Sequence, residues 1–183
     1  MDLPLTGNPG IECRSGGVDG EYTLIFTFAN ALTRVDGISV VGTGTFKDGT
    51  LGTDAHQCII NLTGVASSQY LEVTLEGVGD EADNYSDGPQ TVMGVLLGDT
   101  TASGDVNSSD VMDTKTQSGA VVTQANCRQD VTANGAINSS DLSLVKSRSG
   151  TGIATSPQQT GQQNSGDGAE RPSERRVRPA RSQ

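Results

Sequence analysis

The feature that most constrains the fold is a repeat in the second half of the chain. Residues 99–119 (DTTASGDVNSSDVMDTKTQSG) and residues 130–150 (DVTANGAINSSDLSLVKSRSG) align without a gap at an offset of 31, and 11 of the 21 positions are identical. Self-similarity this dense indicates two copies of one supersecondary unit, each too small to bury its own apolar face. We therefore expect the two copies to pack against each other.

Each copy has the layout of an EF-hand-type calcium loop. Oxygen-bearing residues stand at loop positions 1, 3, 5, 9 and 12, with a glycine at position 6 and an aliphatic residue at position 8. Ca²⁺ takes six to eight oxygens at about 2.3–2.6 Å, so the chain must wrap round the ion and present alternate residues inward. The predicted metal ligands are Asp99, Thr101, Ser103, the carbonyl of Asp105 and Asp110 in the first loop, and Asp130, Thr132, Asn134, the carbonyl of Ala136 and Asp141 in the second.

A helix is expected after each loop. The sequence Asn-Ser-Ser-Asp supplies a serine at a favourable N-cap position and an acidic residue in the first turn, and Gly119 and Gly150 end the helices. Val106 and Ile137 are expected to pack the loops together. Each loop offers two carboxylates at its ligand positions, where the usual pattern offers three or four, so the predicted calcium affinity is modest and is weaker in the first loop. The alternative is a polar linker without metal.

Residues 21–97 carry apolar residues at a period of two, which is the pattern of strands with one buried face. Three strands are expected at 22–28, 58–62 and 71–76, and two more at 38–46 and 91–97. Turn residues occur at 35–37, 47–49 and 86–89. Short strands at this spacing predict a small antiparallel β-sandwich.

The β segment offers few candidates for chemistry. His56 is the one histidine and has no neighbouring nucleophile motif, so it is interpreted as a surface residue. Glu72 and Glu76 share one strand face, where two carboxylates could hydrolyse a glycoside, but a solvated face explains them better. The acidic loop at 80–87 follows no known calcium-loop spacing.

Composition narrows the classes of function. With 22 acidic against 12 basic residues and a net charge of −10, the chain is not expected to bind nucleic acid, and no apolar run is long enough to span a bilayer. All six aromatic residues fall between positions 22 and 85, so the later region needs another source of stability. Residues 154–183, with five arginines and few aliphatic residues, are expected to be a disordered tail.

The three cysteines (Cys13, Cys58 and Cys127) cannot all pair within one chain and do not show a metal-binding spacing. The first residues lack the basic and apolar regions of a signal peptide. If the protein is exported, the chain is expected to be a fragment that lacks its beginning.

The repeat resembles the dockerin family, whose modules consist of two calcium-binding loop–helix units. The resemblance covers residues 98–153, in the segments GDTTASGDVNSSD and DVTANGAINSSDLSLVKS. It implies calcium ligation by the loop residues named above and docking to a cohesin-like partner. The implied partner-binding residues are Ser108, Ser109, Lys115, Ser139, Ser140 and Lys146. The preceding β segment resembles the Ig-like modules of large bacterial surface or secreted proteins.

Together these observations predict a mixed fold with four parts. They are an irregular N-terminal segment (1–20), an Ig-like β-sandwich (21–97), an α-helical dockerin-like module with up to two Ca²⁺ ions (98–153) and the tail (154–183). The expected function is non-enzymatic: a monomeric, extracellular or cell-surface interaction module. Two alternatives stay open, which are a calcium-stabilised cap or spacer with no cohesin partner, and the C-terminal fragment of a polysaccharide hydrolase.

Overall fold

The computed structural model describes residue 3 and residues 7–154. Ten strands come first in the chain and two α-helices follow. The strands are β1 (Gly10–Glu12), β2 (Tyr22–Thr27), β3 (Leu32–Arg34), β4 (Gly37–Val41), β5 (Thr45–Leu51), β6 (Gln57–Thr63), β7 (Gln69–Glu76), β8 (Val78–Asp80), β9 (Tyr85–Ser86) and β10 (Gln90–Val95). The helices are α1 (Ser108–Gln117) and α2 (Ser139–Arg148), with a short 3-10 turn (Cys127–Gln129) between them.

The strands form three sheets in the described part of the chain. Their orders are β1-β10-β7-β4, β2-β6-β5 and β3-β8-β9, and every pairing is antiparallel except that of β1 with β10. Alternate residues of β6 and β7 are buried, because one face of each of their two sheets contributes to a common apolar core. This arrangement is a β-rich domain and is compatible with the small sandwich expected from the sequence.

The period-two pattern located four strands correctly, namely β2, β6, β7 and β10. The single strand expected over 38–46 was wrong, because the chain breaks at Gly42 and Gly44. These glycines have φ values of 127° and 150°, which side chains with a Cβ rarely adopt. The break allows β4 and β5 to join different sheets.

The turn expected at 47–49 was also wrong, since these residues lie inside β5. The pairing of β5 with β6 shifts register between Phe46 and Asp48, so the turn-forming residues produce a β-bulge instead of a reversal. The N-terminal segment, expected to be irregular over 1–20, contributes β1, whose residues 10–12 pair in parallel with β10.

We call residues 10–95 the β region and residues 98–153 the loop–helix region. The separate α-helical module expected over 98–153 is not what the structure shows, because each helix has ten residues and loops make up most of the rest. Neither helix of the described part is long and apolar enough to cross a membrane. Of the predicted tail, Ala154 is described and residues 155–183 lie outside the described part.

The two regions share a second apolar cluster. Ile11 of β1 and Leu96 pack in this cluster with three aliphatic residues of the loop–helix region, Val106, Val131 and Val145. The sheet allows this close packing because Gly94 in β10 has no side chain: a Cβ atom there would lie 2.9 Å from Ile11 Cγ1. The loop–helix region therefore completes its small core with residues from the β region.

Replacing Gly94 with alanine is expected to lower the free energy of unfolding by about 1–3 kcal/mol, because the added methyl group overpacks the contact with Ile11. Urea unfolding measures this change. Val18→Ala, at a fully exposed side chain, is the control and should change the value by less than about 0.5 kcal/mol. Equal midpoints for the wild type and Gly94→Ala would contradict the close packing.

Candidate functional site

The first residue of each loop holds the turn of that loop through its carboxylate. Asp99 accepts hydrogen bonds from the backbone amides of Ser103 (2.9 Å) and Gly104 (2.8 Å). Asp130 accepts the equivalent bonds from Asn134 (3.1 Å) and Gly135 (2.9 Å). Because bonds to a charged acceptor are stronger than neutral ones, each aspartate fixes the conformation of the four to five residues that follow it.

The last loop residue, Asp110 or Asp141, joins the loop to its helix. Asp110 accepts from the amides of Thr101 (3.0 Å) and Asn107 (2.8 Å), and Asp141 accepts from Thr132 and Asn138 (both 2.9 Å). The bonds from Asn107 and Asn138 belong to capping boxes, in which the asparagine is the N-cap residue. Serine was expected to cap both helices, so that prediction was wrong by one position.

The five oxygens predicted as ligands in the first loop lie close together. Thr101 Oγ1 is 2.8 Å from Asp110 Oδ1 and 3.4 Å from Asp99 Oδ1. Ser103 Oγ is 3.4 Å from the same Asp99 oxygen and 2.9 Å from the carbonyl oxygen of Asp105. Oxygens bound to one Ca²⁺ ion are spaced by roughly 3 Å, so this donor set fits a hard cation.

The second loop repeats part of this arrangement. Thr132 Oγ1 lies 2.8 Å from Asp141 Oδ1, which matches the first loop. Asn134 Oδ1 accepts a hydrogen bond from the amide of Ala136 at 3.0 Å, so this oxygen also lies within the loop. The amide oxygen of asparagine is a hard donor, as the hydroxyl of Ser103 is, and fits the same type of ion.

The four loop carboxylates are buried. Asp99, Asp110 and Asp141 are 0% exposed, and Asp130 is 6% exposed. In the part of the chain that the structure describes, no basic side chain forms an ion pair with any of them. Amide hydrogen bonds satisfy much of their acceptor capacity. In the first loop the hydroxyl of Thr101 lies between the two carboxylates, 2.8 Å from Asp110 Oδ1 and 3.4 Å from Asp99 Oδ1, so two acidic groups are close together there.

Both loops have the same backbone conformation at their sharp turns. Gly104 and Gly135 have φ values of 89° and 87°, as position 6 of the loop pattern requires. Ala102 and Ala133 are also left-handed, at 59° and 54°, which is uncommon for a residue with a Cβ. The recurrence of this conformation at equivalent positions shows that the repeat in sequence is a repeat in structure.

The two copies are joined reciprocally. Gly119, which follows α1, donates its amide hydrogen to the carbonyl of Ile137 at 2.8 Å, and Gly150, which follows α2, donates to the carbonyl of Val106 at 2.8 Å. Val106 and Ile137 are nearly fully buried. The prediction that glycines follow the ends of the helices is therefore confirmed, whereas packing of the two loops through Val106 and Ile137 stays a prediction.

The predicted partner-binding residues all lie on the surface. Ser108, Ser109, Ser139 and Ser140 occupy the first turns of the helices, and Lys115 and Lys146 occupy the last turns. Their exposure makes them accessible, but no contact in the described residues distinguishes them from other surface positions. Their role in binding stays a prediction.

The weaker candidates have ordinary structural roles. His56 is exposed and contacts Asp54 through Nδ1 at 3.0 Å. Glu72 and Glu76 project from the side of β7 opposite the buried core. In the acidic loop, hydrogen bonds from Asn84 and Asn30 lower the pKa of Asp80 to about 2, so this carboxylate holds the loop in place.

Beside the loops, the last residue of β1 and the two residues after it form a group that sequence reasoning did not identify. Burial raises the pKa of Cys13 to about 12, and its thiol donates to the carbonyl of Arg128 at 3.4 Å. Burial also acts to raise the pKa of Glu12, but hydrogen bonds and charge from Arg14 outweigh it and lower that pKa overall. The contact of Glu12 with Arg14 is local, but the contact of Cys13 with Arg128 joins residues 115 positions apart, and no local pattern predicts it.

Comparison with known proteins does not provide a family. No protein-family model matches the chain, and a search of curated proteins finds no relative. Among the described residues, no three His, Cys, Asp or Glu side chains form a group that could hold a metal ion, since each loop brings two carboxylates. The domain is also mostly β, with two short helices. The identification as a dockerin-like module behind a bacterial Ig-like module is therefore wrong.

Replacing Asp141 with asparagine is expected to destabilise the protein even in EDTA. The two carboxylate oxygens of Asp141 accept from the amides of Thr132 and Asn138, whereas the side chain of asparagine has only one acceptor oxygen. One buried amide therefore loses its partner, at a cost of about 1–3 kcal/mol. Chemical unfolding measures this cost. Asp105→Asn is the matched control because its side chain is exposed, and a loss in the control as large as in Asp141→Asn would contradict this role of the carboxylate.

Proposed function

We propose that the loop–helix region is a calcium-stabilised structural module that caps the β region of a secreted or surface protein and has no catalytic role. The observation that carries the proposal is the chain of four contacts, each of 2.8–3.4 Å, that links the five first-loop oxygens. The proposed ligands are the loop residues named from the sequence. When bound, Ca²⁺ would supply the positive charge that the buried carboxylates lack.

The composition of this region supports a structural role for the ion. The described part of the loop–helix region has no aromatic residue, and its buried aliphatic residues number few: Val106, Val131, Ile137 and Val145. A region with so little apolar area gains stability when a metal joins segments that are far apart in sequence. In each loop the ion would join the first and the last ligand, which are eleven positions apart.

The number of carboxylates supports a location outside the cell. Two carboxylates per loop predict a weak site, and calcium sites of extracellular modules bind with dissociation constants of about 10⁻⁴–10⁻³ M. A site of that strength fills at extracellular calcium concentrations.

The absence of a nucleophile motif near His56 in the sequence supports a non-enzymatic role.

The two other functions considered from the sequence stay predictions. Docking to a cohesin-like partner was implied by the family resemblance, which is not upheld, and it has no support of its own. Membership of a polysaccharide hydrolase would rest on a catalytic domain outside this chain. We therefore restrict the proposal to the cap.

Calcium titration of the EDTA-treated full chain tests the proposed function. A ligand at a hundred times its dissociation constant stabilises the folded state by about 2.7 kcal/mol, which should raise the Tm by roughly 5–10 °C. Calorimetric titration should give saturable heats at millimolar calcium. An unchanged Tm together with no binding heat would rule out the calcium module.

Three variants localise the effect. Asp99→Asn and Asp130→Asn each remove a carboxylate from one loop and should each reduce the calcium-induced rise in Tm. Asp105→Asn should keep the full rise, because Asp105 is predicted to offer its main-chain carbonyl and its side chain is exposed. Loss of the response in Asp105→Asn alone would contradict the proposed ligand set.

A further inference from the structure

Arg128 lies between the two loops in sequence, and its side chain binds three main-chain carbonyls in two other segments. It belongs to the 3-10 turn, two residues before Asp130. Its guanidinium donates to the carbonyl oxygens of Asp99 (2.7 Å), Thr100 (2.9 Å) and Ile11 (2.8 Å). One side chain thus contacts the start of the first loop and strand β1 while its backbone leads into the second loop.

Other bonds join the same segments. The thiol of Cys13, next to β1, donates to the carbonyl of Arg128, and the amide of Ser15 donates to the carbonyl of Val131 at 2.7 Å. The amide of Gly98, immediately before the first loop, donates to the carbonyl of Cys13 at 2.9 Å. The segment after β1 is therefore hydrogen-bonded to residues at the start of both loops.

The planar guanidinium suits this position. Its Nε and two Nη groups point in fixed directions, so they can serve three carbonyls at once, whereas the ammonium group of lysine has a different shape and reach. The carbonyls of Asp99 and Thr100 belong to the peptide groups that lead directly to Thr101. Arg128 thereby fixes the backbone that carries two of the predicted first-loop ligands.

We propose that Arg128 is a positioning residue that links the calcium loops to the pairing of β1 with β10. This inference rests on the calcium module proposed above and adds a regulated element to it. Occupied loops hold the carbonyls of Asp99 and Thr100 in place, Arg128 stays bound to them, and its third bond, to Ile11, holds β1 against the sheet. Loss of calcium loosens the loops and, through Arg128, the strand.

Hydrogen exchange of the full chain, with calcium and with EDTA, tests this coupling. The informative amides lie where β1 meets β10, including Leu96, which donates to the carbonyl of Glu12 at 3.0 Å. Calcium should slow their exchange by about tenfold or more, because opening of β1 then requires release of the ion. Amides between β2 and β6, which do not contact the loop–helix region through this network, are the internal reference.

Variants at Arg128 test its part in the coupling. Arg128→Lys keeps the charge and loses the three-way geometry, and Arg128→Ala loses both. Residues that orient metal ligands typically contribute 10–100-fold to affinity, so each variant should weaken first-loop calcium binding by about tenfold and abolish the slower exchange of β1. The control is Arg34→Ala, which removes a guanidinium that packs over Tyr85 in the β region.

The outcomes separate the two proposals. Calcium binding by the wild-type chain without slower exchange at β1 would overturn the coupling and leave the calcium module intact. Full affinity and full β1 protection in Arg128→Lys would also overturn it, and this conservative variant tests the idea even if Arg128→Ala does not fold. The absence of any calcium binding would overturn both proposals.

Discussion

Hydrogen bonds from main-chain amides to four buried carboxylates hold the loop–helix region in shape. Asp99 and Asp110 organise the first loop, and Asp130 and Asp141 organise the second, through equivalent bonds of 2.8–3.1 Å. The same carboxylates define the loop turns and begin the helices. Because the region has few buried aliphatic residues, these polar contacts provide stability that an apolar core provides in other domains.

That dependence explains why the loop–helix region is built onto the β region instead of standing alone. Ile11 and Leu96 enlarge its apolar cluster, and Gly94 leaves the space that Ile11 needs. Arg128 adds hydrogen bonds across the same junction. The loops and strand β1 thus share apolar and hydrogen-bond contacts across one junction.

Sequence patterns predicted the structure wherever the determining contacts are local or periodic. Alternating apolar residues located β6 and β7, since one face of each is buried. The repeat located both loops, both helices and the glycines that end them. The patterns failed where a few residues change the path of the chain: glycines split one expected strand into β4 and β5, and a turn-like triplet became a bulge inside β5.

The sequence by itself determined the twofold repeat and the positions of its oxygen-bearing side chains, because loop spacing and glycine placement are properties of consecutive residues. Tertiary structure alone decided that β1 joins the sheet, that Ile11 completes the second core, and that Arg128 reaches three separate carbonyls. Those contacts join residues up to 117 positions apart. They depend on where the packed sheet places each segment in space, which no spacing along the chain encodes.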